Sequence, residues 1–235
     1  MSNQVALIIF AKKLLPGQVK TRLQPQVSPE IALNIYRKFV EETLEKVKVI
    51  RDVTIWLGCF PDYNDPWLLS LSNSFRIQLF KQEGKDLGER MEHAFNMLTR
   101  KKYKRKVIIG TDSPHLPLHF IRSAFESLKK IPVVIGPSRD GGYYLLGISG
   151  QPPSVFRGIS WSTDSVLKST MLRLKEKQIP FKLLPEWYDI DRFEELNSLY
   201  AYWKGLKNNG GDVPDNLIHL LDEIESIRRA NASSK

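Results

Sequence analysis

The sequence predicts an α/β domain, and two observations carry that prediction. Short apolar runs recur along the chain, and between them lie stretches whose apolar residues keep helical spacing. The clearest run is Val107-Ile108-Ile109, which is mostly β-branched and suits a strand buried on both faces. It is followed by Gly110-Thr111-Asp112-Ser113-Pro114, so a carboxylate stands where a buried strand emerges. In open α/β sheets ligands bind at the carboxyl ends of strands, which marks Asp112 as a candidate functional group. The alternative is that Asp112 caps the following helix or forms an Asx-turn.

The 235 residues, 42% of them hydrophobic, suffice for one sizeable core. The single cysteine, Cys59, rules out an intramolecular disulfide, so nothing argues for an oxidising compartment. The N-terminal residues lack a basic leader, and the apolar run at 5–11 is too short to span a membrane. A soluble cytoplasmic protein with no membrane span is expected. The net charge of +9 fits nucleic acid, an anionic membrane or phosphorylated small substrates. Part of the excess sits in Arg100-Lys101-Lys102-Tyr103-Lys104-Arg105-Lys106, read as a solvated loop before the 107–109 strand, with a nucleic-acid or partner patch as the alternative. No nucleic-acid-binding motif accompanies it, so no nucleic-acid partner is expected.

In order, residues 4–10 form the first strand, and residues 11–23 a loop with Pro16-Gly17 as its turn signal. That loop holds Lys12, Lys13, Lys20 and Arg22 and no acid, a composition suited to cradling a nucleotide's phosphates or to an ordinary solvated loop. Lys20 and Arg22, two apart, point the same way if the chain is extended. It is neither a Walker A loop nor G-x-G-x-x-G. Ser28-Pro29-Glu30 opens a helix, residues 53–57 a second strand, residues 60–67 a loop and residues 75–80 a third strand. Asp86 with Glu89 resembles a capping box, placing Arg90 in a first helical turn. Cations are disfavoured there, so Arg90 either holds an anion or forms a surface ion pair.

Beyond Asp112, Leu118, Ile121, Phe125 and Leu128 mark a helix, and residues 131–135 the next strand. That strand runs into Arg139-Asp140-Gly141-Gly142, either a plain hairpin turn or a place where backbone approaches a flat ligand. Ser162 or Thr163 is expected to cap a helix reaching Lys177, and residues 181–184 form the last strand. Asp191 with Glu194 reads as another N-cap, leaving Asp189 as the freer carboxylate. Residues 208–211 make a linker, residues 214–229 a terminal amphipathic helix, and residues 230–235 are expected to fray. The expected division is a nucleotide-binding domain over 1–205, with the linker and terminal helix of 206–235 packed on it.

Separated carboxylates plus a cationic loop suit a di- or triphosphate held through magnesium or manganese. One cysteine and scattered histidines speak against zinc, and His115 and His119 are read as structural or surface residues. No arrangement suggests a covalent nucleophile.

The blocks Phe10-Ala11-Lys12, Pro16-Gly17-Gln18-Val19-Lys20-Thr21-Arg22-Leu23, Asp86-Leu87-Gly88-Glu89-Arg90-Met91, Gly110-Thr111-Asp112-Ser113-Pro114, Gly136-Pro137, Asp140-Gly141-Gly142-Tyr143, Trp161-Ser162-Thr163 and Asp189-Ile190-Asp191 stand in that order. Together they resemble the DUF2064, or radical-SAM/selenodomain-associated transferase 1, family, over roughly residues 5–205. That family resembles the GT-A nucleotide-diphospho-sugar transferase superfamily. The resemblance implies a three-layer sandwich around a mainly parallel mixed sheet with one antiparallel strand. It also implies that Gly17, Lys20 and Arg22 bind phosphates; Lys12 and Arg90 are further candidate nucleotide contacts among the basic residues. Asp112 would hold Mg2+ or Mn2+ with Asp189, and Asp140-Gly141-Gly142 would shape the sugar or acceptor side. Lys13-Leu14-Leu15 departs from the family, whose members often carry a proline-containing segment there.

The reading that follows is a metal-dependent glycosyltransferase using a nucleotide-diphospho-sugar and a small-molecule acceptor. Asp112, Asp140 and Lys20 are its candidate catalytic residues, with Asp140 as the acceptor-side base. The alternative is a nucleotidyltransferase, guanylyltransferase-like, taking a nucleoside triphosphate and a phosphorylated acceptor. A second alternative is a non-catalytic nucleotide-binding protein, against which the presence of both Asp112 and Lys20 argues.

Overall fold

The structure, a computed structural model, describes residues 4–233, with side chains to residue 226. Its elements are β1 (Val5–Lys12), α1 (Pro29–Val47), β2 (Thr54–Phe60), α2 (Pro66–Phe75), β3 (Gln78–Lys81), α3 (Leu87–Arg100), β4 (Arg105–Ile109), α4 (Leu118–Ser127), β5 (Val133–Pro137), β6 (Tyr143–Ser149), α5 (Val166–Glu176), β7 (Phe181–Leu183), α6 (Phe193–Asn208) and α7 (Asp215–Ser233). The chain divides into two compact units. The first comprises the chain up to Lys13 and Lys46–Asp189, and the second Leu14–Glu45 and everything from Ile190 onward.

The first unit holds a seven-stranded sheet in the order β3-β2-β1-β4-β6-β5-β7. All neighbours are parallel except β6, which runs antiparallel to both β4 and β5. This is the mainly parallel mixed sheet with one reversed strand that the family resemblance implies. Ala6 to Ile9 in β1 and Val107 to Ile109 in β4 are buried on both faces, as central parallel strands must be when helices cover each side. Ala6, Ile8, Ile108, Leu146 and Ile148 pack with Met91, Ala94, Phe95 and Leu98 of α3 and Leu174 of α5. The alternate residues face the other way: a side chain added at Gly147 would meet Val107 and Leu128 at the end of α4. So α3 and α5 cover one face of the sheet, and α4 the opposite one.

Asp86 caps α3 as the sequence predicts, its Oδ1 accepting from Glu89 N at 2.8 Å, while Glu89 Oε2 accepts from Lys85 N at 2.8 Å. Ser28 likewise accepts from Ile31 N at 3.3 Å at the start of α1. Several expectations need correction. Residues 66–75 are helical, where the sequence predicts a loop ending at 67, a strand starting at 75 and no element between, because Asp65 caps Trp67 N at 2.9 Å and Pro66 opens the first turn. β3 accordingly starts at Gln78.

α5 starts at Val166, not beside Ser162 or Thr163, since the Thr163 hydroxyl donates to Ser160 O at 2.7 Å. Lys106 is not part of a solvated loop. Its side chain is fully buried, with Nζ donating to Thr99 Oγ1 at 2.9 Å, Tyr103 O at 3.2 Å and Gly150 O at 2.5 Å.

In the second unit α6 and α7 pack together. Lys204 reaches Asp222 at 2.9 Å and Lys207 reaches Asp215 at 2.6 Å, and Tyr200 donates to Asp222. α7 extends past the predicted end at residue 229 to Ser233, and residues 234–235 of the segment expected to fray lie outside the described residues. Among the described residues no helix is long and apolar enough to cross a membrane.

Candidate functional site

β4 ends at Ile109, and Gly110 turns the chain so that Thr111 and Ser113 are buried on either side of the half-buried Asp112. After β7 the chain continues alongside β5. Leu184 N donates to Ile135 O at 2.8 Å, Trp187 N to Pro137 O at 3.0 Å, and Arg139 N to Trp187 O at 3.1 Å. This parallel run carries residues 187–189 to the turn beyond β4. There Ser113 Oγ lies 2.9 Å from Tyr188 O and 2.5 Å from Asp189 Oδ1. A hydroxyl has one proton, and the shorter contact to the carboxylate is the charge-assisted one. The residue after Asp112 thus holds Asp189. Asp112 and Asp189, the two carboxylates expected to hold a metal, arrive on segments joined by Ser113, a residue to which the sequence assigns no role.

His115 packs against this join, its ring 5.1 Å from Trp187 and 4.4 Å from Tyr188. Burial, with the Lys46 charge as a lesser cause, lowers its pKa to about 3, so the imidazole is neutral and a poor base. Lys46 itself donates to Pro114 O in the same turn.

The Asp140-Gly141-Gly142 segment is the hairpin turn between β5 and β6. Asp140 Oδ1 accepts from Gly142 N at 3.0 Å, a local Asx-type bond on an exposed residue. Gly141 has φ +86, and a Cβ there would lie 2.0 Å from Asp164 O. Its carbonyl accepts from Leu167 N at 2.8 Å in the first turn of α5. Gly141 therefore serves close packing of the turn against the start of α5, whereas a Cβ at Gly142 would meet only the Asp140 carboxylate of its own turn, at 3.2 Å from Oδ1. Gly88 answers a similar need, since a Cβ there would lie 2.3 Å from the Trp161 ring.

Arg90 makes neither the ion pair expected by default nor a contact to an anion among the described residues. Its guanidinium lies 3.7 Å from the centre of the Phe60 ring, and Nε donates to Gly84 O at 3.2 Å. Lys12, the last residue of β1, is exposed.

In the second unit Gly17 adopts φ +78, and the loop is pinned by the buried side chains of Val19 and Leu23. Lys20 is left-handed (φ 46, ψ 41), and residues Thr21–Leu23 form a short 3-10 helix, so this stretch is not extended. Lys20 and Arg22 nevertheless meet at one carboxylate. Lys20 Nζ donates to Ile190 O at 2.7 Å and pairs with Asp191 Oδ1 at 3.2 Å, and Arg22 Nη1 pairs with Asp191 Oδ2 at 2.8 Å. Asp191 is therefore not the helix cap that its spacing to Glu194 predicts. Arg192 holds that position, and Glu195 Oε2 accepts from the backbone N of both Asp191 and Arg192 at 2.7 Å.

Asp112 and Asp189 are hard oxygen donors of the kind magnesium takes, one or two at a time, beside phosphate oxygens. The described residues gather no set of three or more His, Cys, Asp or Glu side chains suited to a metal ion.

A sequence family described as "Uncharacterized protein conserved in bacteria (DUF2064)" matches residues 43–163. The chain belongs to the DUF2064 family. A crystal structure of another protein, a candidate nucleotide-diphospho-sugar transferase from Desulfovibrio desulfuricans, is 30% identical and superposes with a TM-score of 0.84 over 98% of each chain. The 4-diphosphocytidyl-2C-methyl-D-erythritol synthase of Anaerococcus prevotii shares the fold at 13% identity and a TM-score of 0.60, with 86% of this chain and 97% of that one covered. A 2-phospho-L-lactate guanylyltransferase of Methanocaldococcus infernus is 21% identical over 192 residues, 80% of this chain and 82% of the relative. This DUF2064 chain has a nucleotidyl- or nucleotide-sugar-transferase-like fold.

Proposed function

We propose that the protein is a glycosyltransferase that takes a nucleotide-diphospho-sugar and passes its sugar to a small-molecule acceptor. The observation that carries this reading is the Ser113–Asp189 bond at the end of β4, which joins two carboxylate-bearing segments. Asp112 and Asp189 would hold Mg2+ or Mn2+, which offsets the charge that grows on a departing diphosphate. Ser113 keeps Asp189 oriented. Lys20 and Arg22 are the proposed phosphate-binding cations, with Gly17 supplying the turn before them and Lys12 and Arg90 as further nucleotide contacts. The 140–142 turn is the proposed acceptor side. Asp140 Oδ1 is occupied by Gly142 N, so Oδ2 is the oxygen left to take the acceptor's proton. The full-length likeness to the Desulfovibrio protein supports the donor class.

A second reading, nucleotidyl transfer from a nucleoside triphosphate, is favoured by the guanylyltransferase relative. The two differ in the bond broken. Sugar transfer releases a nucleoside diphosphate, and nucleotidyl transfer releases pyrophosphate. The test is a panel of nucleotide-sugars and nucleoside triphosphates with manganese, followed by thermal shift and product detection. Nucleoside diphosphate supports the first reading, and pyrophosphate replaces it with the second. Asp112→Ala is expected to abolish metal-dependent nucleotide binding while the protein stays folded. Unchanged metal dependence removes Asp112 from the site, and a panel without any stabilising nucleotide sinks both readings.

A further inference from the structure

Lys20 and Arg22 share one carboxylate in a way that matches how they would share a phosphate. Each oxygen of Asp191 takes one cation, at 3.2 Å from Lys20 Nζ and 2.8 Å from Arg22 Nη1. Two oxygens of a phosphate would offer the same bite. The two cations differ in their surroundings. The Lys20 side chain is 2% exposed and that of Arg22 64%. Lys20 is further held by Ile190 O at 2.7 Å and faces the Phe39 ring at 5.1 Å. A buried ammonium needs a nearby anion, because its lost hydration is otherwise uncompensated. An exposed ion pair such as Arg22–Asp191 is weak and easily exchanged.

We propose that Asp191 is an internal substitute for a ligand phosphate. It keeps Lys20 neutralised and Arg22 in place when no polyphosphate is bound, and it gives up Arg22 when a di- or triphosphate arrives. The inference rests on reading Lys20 and Arg22 as phosphate-binding cations, and it adds the carboxylate against which the ligand must compete. Competition of this kind selects for ligands with several negative charges. A lone phosphate gains little by replacing a carboxylate already in place, whereas a polyphosphate brings charge beyond what it displaces. Asp191 thereby becomes a specificity-determining residue, although it would contact the ligand only through the cations it shares.

The test uses inorganic tripolyphosphate, titrated calorimetrically without divalent ions into the wild type, Asp191→Asn and the double variant Asp191→Asn/Arg22→Gln. The amide of Asp191→Asn would keep the size of the side chain and one accepting oxygen while removing the competing charge. Tripolyphosphate should bind Asp191→Asn roughly two- to five-fold more tightly than the wild type, the scale of an exposed ion pair, and the gain should vanish in the double variant. Equal or weaker binding by Asp191→Asn overturns the inference, as does absence of binding by both wild type and variant. Should Asp191→Asn fail to fold, the wild type decides. Saturating tripolyphosphate must move the Asp191 Cγ carbon resonance, and an unmoved resonance overturns the proposal. Tripolyphosphate carries no nucleoside or sugar, so these outcomes are separate from the product assay. A gain in affinity without any transfer reaction leaves the exchange standing and removes only the transferase reading.

Discussion

Ser113 Oγ donates to Asp189 Oδ1 at 2.5 Å, linking the residue after Asp112 to a carboxylate 76 positions further along the chain. Hydrogen bonds to charged groups contribute about 1.5–3 kcal/mol. If Asp189 holds a metal as proposed, Ser113→Ala should raise the metal concentration needed for half-maximal activity by about ten-fold or more, and Ser113→Thr should recover part of the loss. A metal titration of the transfer reaction checks this, with a melting curve to confirm folding. An alanine variant with wild-type metal dependence would mean that Ser113 does not orient Asp189.

The glycines of the family blocks should separate into two classes. Gly141→Ala places a Cβ 2.0 Å from Asp164 O, and Gly88→Ala places one 2.3 Å from the Trp161 ring, so each should cost about 3 kcal/mol in urea unfolding. Gly17 has φ +78 but nothing within 4 Å of an added Cβ. Gly17→Ala should cost only about 1 kcal/mol, for the backbone conformation alone, which leaves a folded protein in which the proposed role of Gly17 in nucleotide binding can be measured.

Lys106 makes stability depend on pH in the alkaline range. Burial lowers its pKa from 10.5 to about 8. Between those values the unfolded chain holds the proton that the folded chain has released, so stability rises with pH across that window. The penalty is fully present below pH 8 and amounts to at most about 3 kcal/mol. Relative to Lys106→Met, the wild type should gain stability between pH 8 and 10.5, measured by denaturant unfolding. A constant difference between the two proteins would show that Lys106 keeps an ordinary affinity for its proton.

Asp65→Ala should weaken α2 by about 1 kcal/mol, because Asp65 Oδ1 accepts from Trp67 N at 2.9 Å and Leu68 N at 3.3 Å. Faster amide exchange confined to the first turn of α2 is the matching observation. A variant with unaltered exchange would show that Pro66 alone holds the helix start.

The α/β class, the buried strands β1 and β4 and the cap of α3 were all readable in the chain, for a shared reason. A strand covered on both faces needs an unbroken apolar run, and a cap acts across three residues, as Asp86 does on Glu89 N. The Asp65-Pro66 cap is just as local, since Asp65 acts on Trp67 N two residues on. The family blocks were readable too, and they located Asp112, Asp140 and Lys20 on loops that follow strands.

The partnerships of those side chains lay beyond such reasoning. Asp191 carries the spacing of a helix cap, yet Lys20 and Arg22, 171 and 169 positions away, take its carboxylate instead. Lys106 belongs by composition to a solvated basic run, yet Thr99, Tyr103 and Gly150 close around its ammonium. Asp140 and the two glycines after it have the look of a ligand turn, and the start of α5 accounts for the tight packing of Gly141. Periodicity and capping are interactions between residues a few positions apart, so the order of amino acids alone settled the class of fold and most of its elements. Charge pairing and burial depend on which distant segments the fold brings side by side, so the tertiary structure alone decided that Ser113 holds Asp189 and that Asp191 holds Lys20 and Arg22.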